Sequence, residues 1–196
     1  MKTRKATINR DTNETQISVT VNLDGTGQYE INTGVGFLDH MLELLSKHSL
    51  IDINLCAKGD LEKDDHHTIE DVGIALGQAI SEALGDKRGI ERYGFLMPMD
   101  ETLAEVALDL GGRFYFVWDV DFTRENINDM PTEMFEHFFY SFADNLRANL
   151  HINLRYGKND HHKAEAIFKS VGRSLRFALS QDPRNKELMP STKGTI

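Results

Sequence analysis

The chain has 196 residues, of which 40% are hydrophobic and 27% are charged, a composition typical of a folded protein with a sizeable core. The formal net charge of −9 disfavours nucleic acid and anionic membranes as partners, because the surface as a whole repels both. Cys56 is the only cysteine, which excludes an internal disulfide and any zinc site built from several thiolates.

The chain carries no pattern typical of export or membrane insertion. Residues 1–5 are basic, but no apolar segment of the kind found in a signal peptide follows them. No run approaches the roughly 20 apolar residues that a membrane-spanning helix needs. We therefore expect a cytoplasmic protein, and the single cysteine fits a reducing compartment.

The first half of the chain predicts strands followed by helices. Residues 15–21 alternate between polar and apolar types, which indicates a half-buried strand. A glycine turn leads to a second strand over residues 28–31. Apolar residues at helical intervals from Phe37 to Leu45 then predict an amphipathic helix. A short strand follows, and a long helix with Gly85 as its expected C-cap completes the half.

The second half repeats this order. Residues 102–110 predict the alternating strand and residues 113–120 its successor. An apolar stripe from Met134 to Leu146 predicts the shorter helix, with Pro131 expected in its first turn. The short strand and the long helix then recur. The short strands align if residues 52–55 are matched with residues 151–154.

These elements predict an α/β (α+β) fold of two duplicated β-β-α-β-α halves, which form two sheet-and-helix layers around a shared core. We assign the repeats to about residues 1–92 and 93–180 of one domain that spans residues 1–196. The tail that follows, residues 181–196, is polar and irregular in pattern. Taken by itself, such a tail is as readily a frayed terminus as a binding element.

The strongest signal of function is a histidine-rich hexad that occurs twice. The pattern D-H-H-x-x-E begins at Asp65 and again, 95 residues later, at Asp160, and its two copies hold four of the eight histidines. On a helix, a histidine and a glutamate four residues apart lie on one face and can bind one ion. The second histidine is rotated by about 100° and points toward a different ion. One exposed histidine pair is usually plain surface, but two copies with the same spaced acids indicate metal binding.

Two further histidines, His40 and His137, occupy matching places in the shorter helices and can complete the sites. From this geometry we predict two ion sites with four ligands each. One set is His66, Glu70, His137 and His162, and the other is His40, His67, His161 and Glu165. Imidazole and carboxylate ligands without a thiolate suit Mn, Fe, Co, Ni or Zn. The room left for substrate on a six-coordinate ion favours Mn²⁺.

Basic residues in this acidic chain are candidates for binding an anion. Arg92 follows the first long helix, and Arg113 follows a diglycine turn. A planar guanidinium matches phosphate oxygens, although a solvated loop arginine is the commoner case. Lys169 lies four residues beyond Glu165 on the same helical face, where it either reaches a metal-bound substrate or pairs with Glu165.

Four segments are long and ordered enough to resemble a known family. They read GVGFLDHML at residues 34–42, DDHHTIED at 64–71, NDHHKAEAIFK at 159–169 and STKG at 191–194. In this combination the chain resembles the imidazoleglycerol-phosphate dehydratase family. The resemblance runs from about Arg4 to Gly194, without a departure at a position that the motifs require.

The resemblance implies a hydro-lyase of histidine biosynthesis that converts D-erythro-imidazole-glycerol phosphate to imidazole-acetol phosphate. It implies two Mn²⁺ ions per active site, held by the histidines and glutamates named above, and a shell of 24 subunits with active sites at subunit interfaces. The implied phosphate ligands are Arg92, Arg113, Ser191 and Lys193. Glu14 and Lys169 are placed near the reacting carbons. The tail is then expected to order across a neighbouring subunit.

The implied reaction passes through a metal-bound imidazolate. A ring held between two ions can lose its proton, and the electron-rich ring then expels the C3 hydroxyl before the C2 proton is lost. Glu14 is the candidate acid/base for the chain protons, with a metal-bound water as its competitor. Two other interpretations stay open. A dinuclear phosphoesterase would rely on more aspartates, and a metal-storage or sensing protein leaves the arginine, serine and lysine elements unexplained.

Overall fold

The computed structural model describes residues 4–94, 97–184 and 187–196. Residues 1–3 of the basic start, and Asn185 and Lys186 of the irregular tail, therefore lie outside the described residues. Within the described ranges, no helix combines the length and the apolar character that crossing a membrane would require.

Strands and helices follow the same general order in the two halves. The first half contains β1 (Lys5–Asp11), β2 (Thr15–Asn22), β3 (Tyr29–Asn32), α1 (Gly36–Ser49), β4 (Asp52–Gly59) and α2 (His66–Leu84). The second half contains β5 (Tyr93–Gly94), β6 (Met97–Met99), β7 (Thr102–Asp109), β8 (Tyr115–Asp119), β9 (Asn126–Ile127), β10 (Met130–Pro131), α3 (Glu133–Leu146), β11 (Asn149–Tyr156) and α4 (Asp160–Leu179). The mixed α/β class predicted from the sequence is confirmed.

The structure contains an edge strand, β1, that the sequence pattern did not predict. β1 pairs antiparallel with β2 along its whole length, and β5 and β6 flank β7 in the corresponding place. Ala6 is the one residue of β1 that is fully buried, so this strand carries little of the apolar alternation from which strands are predicted. The first half therefore begins with one strand, and the second half with two short strands, that the sequence pattern does not indicate.

The second predicted strand of each half, β3 or β8, is not a neighbour of the first, β2 or β7. β4 lies between β2 and β3, pairing antiparallel with β2 and parallel with β3. β11 lies in the same way between β7 and β8. The chain passes from β3 to β4 through α1, which supplies the crossover that a parallel pair requires.

The strand register corrects the predicted alignment of the two short strands. Ile53 pairs with Val21 in the first sheet, and Leu150 pairs with Leu108 in the second. Val21 and Leu108 stand at the same distance from the starts of β2 and β7, so Ile53 corresponds to Leu150. The predicted alignment was wrong by two residues, because an even shift preserves the alternation of buried and exposed positions.

The helix ends agree with the sequence in one case and not in another. Gly85 caps α2 with a positive φ of 62°, as predicted, because glycine adopts this conformation without a steric penalty. Pro131 lies in β10, before α3 begins at Glu133, so its predicted place in the first turn was wrong. At the end of this two-residue ladder a proline costs no interior sheet hydrogen bond.

The helices pair across the two halves: α2 packs on α3, and α1 packs on α4. Glycines allow the backbones to approach closely. A Cβ placed on Gly73 of α2 would lie 2.8 Å from the carbonyl oxygen of Phe138, and one on Gly172 of α4 would lie 3.0 Å from that of Leu45. Any larger residue at these two positions would hold the paired helices further apart.

One hydrophobic cluster joins the two halves. Its largest fully buried side chains are the phenylalanines of α3 and α4, namely Phe135, Phe138, Phe139, Phe142 and Phe168. Phe168 contacts Phe139 with a centroid distance of 4.7 Å and Phe138 with one of 5.6 Å. These aromatic contacts fix the position of α4 against α3. Because α3 packs on α2 and α4 packs on α1, they also fix the positions of the two helix pairs relative to each other.

We expect the substitution Gly73→Ala to destabilise the protein. In an open helix this change stabilises by about 0.5–1 kcal/mol, but here the added methyl group meets the backbone of α3, and overpacking costs about 1–3 kcal/mol. Chemical denaturation checks the sign of the change in the free energy of unfolding. Ser81→Ala, on a partly exposed position of the same helix, is the control. A Gly73→Ala protein as stable as the Ser81→Ala protein would contradict the expected backbone clash.

Candidate metal centres and anion pocket

The first candidate metal centre lies between α2 and α3. His66 and Glu70 stand one turn apart on α2, and His137 faces them from α3. Each offers one ligand atom, and the three atoms lie within 4.8 Å of one another. Nε2 of His137 is 3.3 Å from Oε1 of Glu70, and Nε2 of His66 is 3.9 Å from Oε2 of the same carboxylate. The cross-pairing of the helices therefore assembles this group from both halves.

The second candidate centre repeats the arrangement between α1 and α4. It contains His40, His161 and Glu165. Nε2 of each histidine lies 3.2 Å from Oε1 of Glu165, and Nζ of Lys169 donates to Oε2 at 2.7 Å. Burial opposes the ionisation of Glu165, but hydrogen bonds from Lys169 and His40 outweigh it and hold the pKa of that carboxyl at about 2. A carboxylate that is ionised at neutral pH can bind a cation.

The donor set of each triad fits a divalent transition-metal ion. Two imidazoles and one carboxylate are ligands that suit Mn, Fe or Zn. Nε2 of His137 is buried and makes no hydrogen bond within the described part of the chain, although a carboxylate is close by. A buried polar nitrogen without a hydrogen-bond partner is rare in a folded protein. An ion shared with Glu70 and His66 would satisfy it.

The remaining two histidines of the hexads lie outside the triads of a single chain. Nδ1 of His67 is 3.2 Å from Oδ1 of Asp60, and Nδ1 of His162 is 2.8 Å from Oε2 of Glu101. Each is the immediate neighbour of a triad histidine on its helix, so its side chain projects about 100° away. One chain thus gathers three residues of each predicted set of four and leaves the fourth apart.

Asp60 and Glu101 were not predicted from the sequence. The hydrogen bond with His162, followed by one from the backbone N–H of Asn159, lowers the pKa of Glu101 to about 2. The same pair raises the pKa of His162, and the hydrogen bond with Asp60 raises that of His67. The sequence does contain an indication of one of these two acids. Glu101 precedes β7 in the dipeptide Glu-Thr, just as the candidate residue Glu14 precedes β2.

Two aspartates, the exposed Asp129 and the buried Asp160, fasten the helices that carry His40 and His161. Asp129 accepts hydrogen bonds from the backbone N–H of Gly36 at 2.7 Å and of Phe37 at 3.0 Å, and so caps α1 from the opposite half. Asp160, at the start of α4, accepts from the backbone of Thr123 and Arg124 at 2.8 Å. Both contacts are long-range, which is why no local sequence pattern reveals them.

The two residues expected near the reacting carbons lie in different places. Oε1 of Glu14 is 3.8 Å from Nε2 of His67, and its side chain is half exposed. Lys169 belongs to the second triad through Glu165 and also contacts Sδ of Met99 at 3.2 Å. The pairing of Lys169 with Glu165 is one of the two alternatives that its spacing allowed. Within one chain, Glu14 and Lys169 therefore stand at different histidine clusters.

The four predicted phosphate ligands line one pocket of about 400 Å³. They are Arg92, Arg113, Ser191 and Lys193. The guanidinium of Arg92 forms a bidentate pair with Asp109 and donates from Nη1 to the carbonyl oxygen of Pro190 at 2.9 Å. The end of the tail therefore lies against its own chain, and its expected contact with a neighbouring subunit stays a prediction. Three basic groups around one cavity favour an anionic ligand.

Comparisons with known proteins agree with this geometry. A family model described as imidazoleglycerol-phosphate dehydratase matches residues 33–175. A protein of that name from Brucella suis is 56% identical over 195 residues, covering 99% of this chain and 96% of the relative. Another from Cereibacter sphaeroides is 57% identical over 194 residues, covering 98% of this chain and all of the relative.

Solved structures give the same result. Imidazoleglycerol-phosphate dehydratase from Staphylococcus aureus has a TM-score of 0.83 and 40% identity, covering 91% of this chain and 99% of that one. IGPD from Pyrococcus furiosus in complex with (S)-C348 has a TM-score of 0.81 and 33% identity, covering 96% and 100%. The resemblance seen in the sequence motifs is thus confirmed across nearly the full length, and the chain belongs to the imidazoleglycerol-phosphate dehydratase family.

Proposed function

We propose that this chain dehydrates D-erythro-imidazole-glycerol phosphate to imidazole-acetol phosphate in histidine biosynthesis. One observation carries the proposal: the fold builds two like His-His-Glu triads and, separately, a basic pocket. A substrate with an imidazole at one end and a phosphate at the other matches these two kinds of site. The names of the family model and of the relatives agree with this substrate. The activity is assigned to the whole chain, as one domain of two repeats with its tail, in the cytoplasm.

We assign two Mn²⁺ ions to each active site, one to each kind of triad. The triads supply three ligands each, and His67 and His162 supply the fourth ligands from other subunits of a 24-subunit shell. The position of both imidazoles outside the triads of their own chain supports this assignment, and both are exposed enough, at 37% and 30% of their side-chain surface, to reach another chain. An ion held by each triad would act as a Lewis acid toward the imidazole of the substrate.

The chain's own residues hold the substrate and move its protons. Arg92, Arg113, Ser191 and Lys193 bind the phosphate, which fixes the glycerol carbons relative to the ring. Lys169 keeps Glu165 ionised and in place. Glu14 transfers the C2 proton: its carboxylate is exposed and lies beside His67 without a hydrogen bond to it, so a substrate can approach both groups.

A turnover assay tests the proposed reaction. Metal-stripped protein is given imidazole-glycerol phosphate with and without Mn²⁺, and we expect ketone formation only with the ion. Imidazole-glycerol without the phosphate group is the control, and we expect it to react poorly because it cannot use the basic pocket. Release of inorganic phosphate instead of ketone would favour a phosphoesterase. Tight metal binding without any product would favour storage or sensing.

Substitution of a triad residue tests the metal assignment. We expect His137→Ala to lose one of the two ions per chain and nearly all turnover, because the first triad would keep only two of its three ligands, His66 and Glu70. Metal content after dialysis is measured by elemental analysis. His151→Ala, which changes a histidine beside Tyr115 and outside both triads, serves as the control. Full metal content in the His137→Ala protein would refute the assignment of the first triad.

Substitution of Glu14 tests its role as acid/base. We expect Glu14→Gln to lower kcat by a factor of about 10²–10⁴, the range for loss of a general acid or base, with unchanged metal content. Glu62→Gln, in an exposed position that lines the same surface cavity, should behave like the unaltered protein. Near-normal turnover of the Glu14→Gln protein with both ions bound would remove Glu14 from the mechanism and leave a metal-bound water as the acid/base.

A further inference from the structure

The two histidines outside the triads both have a carboxylate within hydrogen-bond distance of Nδ1, whereas the carboxylate of Glu43 stays 3.8 Å from Nδ1 of the triad histidine His40. Each has a carboxylate at Nδ1: Oδ1 of Asp60 lies 3.2 Å from Nδ1 of His67, and Oε2 of Glu101 lies 2.8 Å from Nδ1 of His162. An ionised carboxylate only accepts hydrogen bonds. Nδ1 must therefore carry the proton in both rings, and the lone pair of each neutral ring is on Nε2.

The Nε2 atoms of both rings are not held by hydrogen bonds to nearby acids. Nε2 of His67 is 3.8 Å from Glu14, and Nε2 of His162 is 4.0 Å from Asp100. Both distances exceed that of a hydrogen bond. The nitrogen with the lone pair is thus the one left available at the surface of the chain.

The two carboxylates do not occupy equivalent positions in the repeats. Glu101 corresponds to Glu14, since each directly precedes the threonine that begins β7 or β2. Gly59 corresponds to Gly157, because a Cβ on either would meet the equivalent threonine, Thr15 or Thr102. The residues that follow these glycines, at positions 60 and 158, are therefore equivalent.

One of these equivalent residues is Asp60 and the other is Lys158. The second repeat lacks an acid where the first has Asp60, and Glu101 supplies the carboxylate instead. In the first repeat Asp60 holds the imidazole, and Glu14 is left without a hydrogen bond to it. Both repeats thus place a carboxylate at Nδ1 of the histidine, but they do so from non-equivalent positions. Simple retention of an ancestral residue does not explain this shared contact.

We propose that Asp60 and Glu101 are positioning residues, which fix His67 and His162 in the Nδ1–H tautomer and aim Nε2 at an ion held by another subunit. The inference rests on the proposed function, since the ligand role of these two histidines belongs to it. A metal-bound histidine commonly donates its other ring N–H to a carboxylate, and loss of that partner typically weakens metal binding 10–100-fold. Neither Asp60 nor Glu101 contacts the ion or the substrate on this view.

Glu101 allows the positioning role to be separated from a structural one. Its Oε1 accepts hydrogen bonds from the backbone N–H of Asn159 at 3.0 Å and of Lys158 at 3.3 Å, and so fastens the start of α4. In Glu101→Gln the amide oxygen can keep these bonds while the amide NH₂ faces His162. An NH₂ group donates, so Nδ1 would have to accept and the proton would move to Nε2.

The test combines NMR with metal titration. Long-range ¹H–¹⁵N spectra of metal-free protein report the tautomer of His162. They are recorded roughly two pH units above the ordinary histidine pKa of about 6.5, so that the ring is neutral. The signals of His162 are assigned by their disappearance in His162→Gln. We expect Nδ1–H in the unaltered protein and Nε2–H in Glu101→Gln. In calorimetric titration of Glu101→Gln with Mn²⁺, we expect one of the two ion sites per chain to bind about 10–100-fold more weakly. The Tm of the metal-free protein should be unchanged. Glu105→Gln, which alters an exposed partner of Arg155 on β7, should match the unaltered protein.

Two outcomes would overturn the proposal. The first is a Glu101→Gln protein in which His162 keeps its tautomer and every ion binds with unchanged affinity. The second is an equal loss of affinity at all ions together with a lower Tm, which would assign Glu101 a structural role only. Failure of the proposed function looks different: the unaltered protein would then bind no Mn²⁺ or form no ketone, whatever the tautomer of His162.

Discussion

The close approach of helices from opposite halves is the constraint on which the candidate centres depend. Gly73 lies one turn after Glu70 on α2, and its missing side chain lets the backbone next to His137 come near. Gly172 does the same for α4 against α1. The triads join side chains of limited reach, so their geometry is set by how nearly the two backbones touch. The packing of the helices therefore determines the geometry of the candidate ligands in this fold.

The same constraint explains the distribution of polar contacts around the helix starts. A triad needs its helices fixed in position along their axes as well as at the right separation. Asp129 and Asp160 provide this by binding backbone N–H groups of segments distant in sequence, and Glu101 adds a third such contact at the start of α4. Directed hydrogen bonds fix position along an axis better than apolar packing alone, because they depend on angle as well as distance.

Much of this arrangement could be predicted from local patterns. The spacing of His66 and Glu70 placed both on one helical face, and the duplicated order suggested that His137 would meet them. The position of Asp60 and Glu101 could not be predicted in this way, since each reaches its histidine from a different element. The edge strand β1 was missed because Ala6 is its one buried residue. The two-residue misalignment of the short strands went unnoticed because an even shift leaves the alternation of side chains intact.

The division of each triad between the two halves also has a consequence for synthesis of the chain. As the protein emerges from its N-terminus, His66 and Glu70 are synthesised long before His137, and His40 long before α4, which begins at Asp160. Neither centre can be complete in a growing chain until α3, for the first, or α4, for the second, has been made. Assembly of either triad is thereby tied to the last third of translation, and a chain truncated before Glu133 would contain His40, His66 and Glu70 without a complete triad.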